Sequence, residues 1–212
     1  MDPITIDVPS KYSGTSSSTG VSSPAVDWLS GTWTVTHSTL SMWRSARNVR
    51  ITYAKLPAKS SGGPTRLDDL VEYEPLGKKS GVVKTVEGID TGDGEGGWDW
   101  RGKGLLFFVG SHWEVLAWGE ATVGVGGGGR GHDTTGAGDG EVTERWAVTW
   151  FAPTVFTKEG IDVYCDRKEG ISDRTYGAIL DALKKVGIKE LIDMVEKDLR
   201  PVEIRLPWAA GK

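Results

Sequence analysis

The chain has one cysteine, Cys165, in 212 residues. An internal disulfide is therefore excluded, and the fold has to be held by packing, as suits a reducing compartment. No run of about 18 apolar residues occurs, and residues 1–30 are polar and serine-rich, without the apolar core of a signal peptide. A soluble, cytoplasmic protein with no membrane span is expected. Charge of one sign is missing too: 25 basic residues face 29 acidic ones, a formal charge of -4, and no basic stripe runs along any segment. Nucleic acid is thus not an expected partner. The three histidines, His37, His112 and His132, share no metal-ligand spacing and have no cysteine pair beside them, so no metal site is expected. The glycine-rich stretch 119–141 lacks the Gly-Lys-Ser/Thr ending and the following helix that a phosphate-cradling loop needs. It reads as a loose hairpin connection, and no cofactor is expected.

Tryptophan, by contrast, is abundant. Ten occur, eight of them between Trp33 and Trp150 in strand-like segments. Rings of this size either fill a core or wall a cavity for a flat, apolar ligand. Residues 1–27 lack periodicity and read as a flexible leader, which leaves 28–212 as one domain. From Trp28 onward, short alternating segments are separated by Gly, Pro, Asp and Ser, the pattern of an all-β protein. Eight fall at 32–38, 47–56, 66–74, 81–88, 97–108, 111–119, 143–151 and 160–166. Eight antiparallel strands in simple order suit an up-and-down barrel, which closes without edges and can hold one small ligand. After Arg167 the period turns helical. Ser172 is a good N-cap, Tyr176, Ile179, Leu180, Leu183 and Val186 recur at helical spacing, and Gly187 stops the run. A second amphipathic run follows, so C-terminal helices are expected at 172–187 and 189–199.

Gly31-x-Trp33 at the head of the first strand, with Arg167 after the last strand and just before a helix, resembles the signature of the lipocalins, within the wider calycin group. The resemblance covers roughly residues 28–187. It implies an eight-stranded barrel closed at one end by the Trp33 indole beneath the Arg167 side chain, with Gly31, Trp33 and Arg167 as structural residues. It also implies that 39–46, which carries Leu40, Met42 and Trp43, folds over the open mouth; a plain surface turn is the alternative. The second helix departs from the family pattern. Haem would need a cavity-facing histidine on a late strand, and no late strand carries one.

Strand parity sorts side chains by face. If Trp33 points inward, so do Val35 and His37. Val49, Ile51 and Tyr53 share a face, as do Trp98 and Trp100, and Trp146, Val148 and Trp150; Ile161, Val163, Cys165 and Arg167 form a further set. Cys165 reads as a small core residue at the closed end. The sixth strand turns inward either Trp113, Val115 and Ala117 or His112, Glu114, Leu116 and Trp118, and the first set is preferred because it buries no charge. The expected ligand-binding residues are therefore His37, Trp43, Tyr53, Trp98, Trp100, Trp113, Trp146 and Trp150, with Asp69 or Tyr73 as further polar points. The leading function is binding of a small hydrophobic molecule in the barrel cavity, with His37 and Tyr53 fixing its polar end. An alternative is a lipocalin-like cyclase or isomerase acting on a hydrophobic natural-product intermediate through shape and hydrogen bonds, which leaves no catalytic constellation to read. A third is an interaction domain whose tryptophans simply fill the barrel.

Overall fold

A computed structural model describes residues 3–13, 23–77, 81–124 and 140–209. The alternating segments form β1 (Gly31–Ser38), β2 (Ala46–Leu56), β3 (Arg66–Pro75), β4 (Lys84–Gly92), β5 (Gly97–Gly102), β6 (Gly110–Gly124), β7 (Glu141–Phe151) and β8 (Gly160–Cys165). Each pairs antiparallel with the next, and β1 pairs with both β2 and β8. The sheet therefore closes on itself as an eight-stranded barrel, which leaves no long edge unpaired. A two-residue strand, β9 (Arg200–Pro201), lies against β1. Some boundaries differ from the sequence reading. The fourth strand lies several residues later than 81–88, and the fifth stops at Gly102, where a short 3-10 turn, Gly104–Leu106, begins. Residues 125–139 of the glycine-rich connection lie outside the described residues.

Two helices follow the barrel, α2 (Asp173–Leu183) and α3 (Lys189–Asp198), after the four-residue α1 (Val26–Leu29) that precedes β1. Ser172 caps α2: its Oγ accepts the Thr175 N–H at 3.3 Å and donates to the buried Glu144 carboxylate at 2.6 Å. Ile179 and Leu183 of α2 and Leu191 and Val195 of α3 pack with Trp146, Val148, Trp150, Ile161, Val163 and Cys165. A second core thus lies between the helices and the outer wall of β7 and β8. The first lies inside the barrel, around Trp33, Val35, Ile51, Tyr53, Trp113 and Tyr164.

This double burial corrects the inward list. Trp146 and Trp150 do share a face with Val148, but it is the outer one; Ala147 and Thr149 face in, opposite Tyr164 and Asp162. Cys165, likewise, is packed under the helices instead of in the barrel floor. A bulge in β1 between Val35 and His37 reverses the parity, so His37 leaves the interior and stacks on Tyr176 of α2, ring centroids 3.5 Å apart. A matching bulge in β6, between Val115 and Ala117, keeps Trp113 and Val115 inside but turns Ala117 out.

Residues 3–13 run along the outside of β6, where the Asp7 N–H donates to the Leu116 carbonyl at 2.7 Å, Ser10 bonds the Glu114 carboxylate, and Ile6 is buried. Among the described residues no helix is long and apolar enough to cross a membrane.

Candidate functional site

The closed end is sealed by indoles. Trp33 is fully buried and donates its Nε1–H to the Leu29 carbonyl at 2.7 Å, while Trp28 lies 5.1 Å from Trp33 and 4.8 Å from Trp118, centroid to centroid. Gly31 opens β1 at φ +121°, a backbone conformation that side-chain-bearing residues rarely adopt. The guanidinium over Trp33 belongs to Arg145, at 5.1 Å from the ring, held in place by Asp166 and the Trp28 carbonyl, each at 2.9 Å. Arg167 shares the outer face of Cys165 and pairs with Glu144 at 3.3 Å, beneath the α2 cap. The expected Trp–Arg closure is therefore met with a different arginine. Parity explains it, since Arg145 shares the inward face of Ala147 and Arg167 the outward face of Cys165.

At the other end the barrel opens into a cup of about 280 Å³. Its wall is aromatic and aliphatic, with Trp43, Tyr53, Trp100, Trp113, Phe151 and Tyr164 among its lining groups. Trp43 sits in a 3-10 turn, Ser41–Ser45, between β1 and β2, and meets Tyr73 edge-on at 5.3 Å. The loop is thus folded over the mouth; Arg44 fastens it by donating to the carbonyls of Ser38, Leu40 and Asp198. Trp98 lies beside the lining groups, stacked on Trp113 at 5.8 Å, and Tyr53 stacks on the same indole at 5.5 Å. Of the eight residues expected to contact ligand, Trp43, Tyr53, Trp100 and Trp113 line the cup, Trp98 adjoins it, and His37, Trp146 and Trp150 stand outside the barrel wall.

The mouth has an apolar rim. Leu105, Phe107 and Phe108 between β5 and β6, Val155 and Phe156 between β7 and β8, Val82 before β4 and Met42 beside Trp43 are all exposed. Deeper in, polar groups gather. Asp69 of β3 reaches the cup from opposite Gly88 of β4, and the Trp100 indole lies over Gly88 so closely that an added Cβ would fall 2.0 Å from its Nε1. The Trp100 indole stands close enough to the Asp69 carboxyl to favour its charged form. Asp90, fully buried on the same face of β4, accepts the Trp113 Nε1–H at 2.7 Å. Each carboxyl keeps one oxygen without a hydrogen-bond partner, Oδ1 of Asp69 and Oδ2 of Asp90. Burial, reinforced by the Asp90 charge, holds the Asp69 carboxyl well above the usual range, and burial pushes Asp90 up to about 7. Desolvation raises the phenols of Tyr53 and Tyr164 as well.

Sequence reasoning missed Asp90 and Tyr164. Asp90 lay past the end of the expected fourth strand, and Tyr164 alternates with Cys165, whose face was taken as inward. Among the described residues no group of three or more His, Cys, Asp or Glu side chains is placed to hold a metal ion.

No protein-family model matches the chain, and no curated protein matches it. Among solved structures, lobster apocrustacyanin A1 matches over 97% of this chain and 93% of its own, at 8% identity and a TM-score of 0.45. The barrel is lipocalin-like. That description rests on its own strand order and closure, and at such distance nothing about a ligand is transferred from the lobster protein.

Proposed function

We propose that this protein binds a small, largely apolar molecule inside its barrel. The observation that carries the reading is the cup itself: a concave, aromatic-walled space open between four loops at one end and sealed by Trp33 at the other. Pockets that bind small molecules have this character, apolar walls with a few placed polar groups, and run from about 300 to 1,000 Å³. A volume of about 280 Å³ lies at the small end and suits a body of one or two rings. Tyr53 and Asp69, not His37, are the groups on hand to fix its polar end. The same shape would serve a cyclase or isomerase, but no feature of the wall singles out a reaction, so binding is the reading kept.

Titration with the neutral dye N-phenyl-1-naphthylamine tests it. Saturable enhancement of dye emission, with a parallel change in tryptophan emission, is expected. Linear, non-saturable uptake would overturn the proposal.

A further inference from the structure

Among the described residues the cup is lined by acid and no base. Asp69 stands on its wall and Asp90 lies two residues along from its partner on the neighbouring strand, and none of the described lining residues is Lys, Arg or His. The surroundings of the two carboxyls are accounted for on every side. From β2 comes the Tyr53 phenol, from β8 the Tyr164 phenol, from β5 and β6 the indole N–H groups of Trp100 and Trp113, and from β3 the charge of Asp68. Asp68 is itself occupied by Lys103, on the outside of the barrel, and that ammonium is the one cation among the named influences on Asp69. Asp90 is held by the Trp113 N–H, Asp69 has the Trp100 indole beside it, and each carboxyl leaves one buried oxygen unsatisfied. Orphaned acceptors in an apolar interior are unfavourable, and two acids of like charge more so, unless something outside the chain completes them.

We infer that the ligand carries a protonated amine on a flat apolar body, with its ammonium against Oδ1 of Asp69, the Asp90 carboxyl behind, and the indoles of Trp100 and Trp113 around it. This rests on the binding function proposed above. An ammonium supplies the donors that the free oxygens lack and the positive charge that the cup lacks, and indole faces attract cations. A carboxylate ligand of fatty-acid type would find no counter-cation and two acids facing it. A neutral alcohol fits the apolar wall but brings no cation to either acid. Because the empty carboxyls are held protonated by burial, arrival of the ammonium expels a proton to solvent, so affinity for an amine rises with pH through neutrality.

Three probes with one ring system decide the matter: tryptamine, tryptophol and indole-3-acetate, titrated calorimetrically into the full-length protein. Tryptamine is expected to bind at least tenfold tighter than tryptophol, with indole-3-acetate weakest. Its affinity should rise several-fold from pH 6 to pH 8, with proton release seen as a dependence of the heat on buffer ionisation, while that of tryptophol stays flat. Asp69→Asn should erase the preference, with the affinity for tryptamine falling more than that for tryptophol. Equal binding of amine and alcohol, tighter binding of the acid, a flat pH series for tryptamine, or a preference that survives D69N would overturn the inference. The pH series uses the unaltered protein, so it stands even if D69N fails to fold. Saturable dye uptake without an amine preference sinks this inference alone, whereas failure of the dye to saturate sinks the binding function beneath it.

Discussion

A carboxyl group that is ionised in the unfolded chain but kept neutral in the fold makes stability fall as pH rises. Asp90 and Asp162 are two such groups, each raised from 3.8 to about 7, chiefly by burial. Between about pH 4 and 7 the native state retains protons that the unfolded chain has released, so their contribution is complete below about 4 and gone above about 7. Glu74 and Glu159, lowered by bonds from Asn48 and Lys11 among others, act in the opposite sense, and their contribution is lost as pH drops through the acid range. Urea midpoints should therefore decline from about pH 5 to pH 7, and Asp90→Asn should flatten part of that decline. An unchanged slope in the variant would show that Asp90 is ionised in the native state. At this scale the sequence was informative where chemistry and position coincide. Trp33 and Gly31 could be placed through the resemblance that the Gly-x-Trp motif carries, and the ring is buried and Gly31 has a positive φ at the head of the first strand. Asp90 could not, because it lay past the end of the expected fourth strand, where no face was assigned.

Elements show where that rule fails. Alternation tells which residues of β7 share a face, and it did so correctly for Trp146, Val148 and Trp150. It tells which face is inside only if the other face meets water, and α2 and α3 remove that condition by covering β7 and β8. Bulges in β1 and β6 add a second failure, since one extra residue inverts every later position, as His37 shows. The helices themselves were legible from the Ser172 cap and the apolar stripe. That cap does double duty, because the Ser172 hydroxyl serves both the Thr175 N–H and the buried Glu144 carboxylate that also receives Arg167. Ser172→Ala should destabilise the protein by about 1–3 kcal/mol, the range for a lost cap plus a weakened buried carboxylate. Chemical denaturation measures it, and a change below a few tenths of a kcal/mol would remove the cap from the list of stabilising contacts.

Over the whole molecule, the tryptophans divide by location. Trp43, Trp98, Trp100 and Trp113 belong to the cup, Trp146 and Trp150 to the layer under the helices, and Trp28, Trp33 and Trp118 to the closed end. Trp113→Phe removes the indole that stacks on Tyr53 and Trp98 and donates to Asp90, so dye affinity should drop several-fold. Trp150→Phe alters a ring on the far side of the wall, bonded to Glu159, and should leave dye affinity as it is. Equal losses in both variants would place the dye outside the barrel. The closed-end trio has a different use. Three indoles within 5.1 Å of one another in sequence of contact, tilted by 41° and 57°, couple their electronic transitions into a chiral pair signal that an isolated ring cannot give. Circular dichroism of this chain therefore carries a contribution from the sealed base beside one from the Trp98–Trp113 pair of the cup, and Trp113→Phe, which removes the second, leaves a spectroscopic handle on one end of the cylinder.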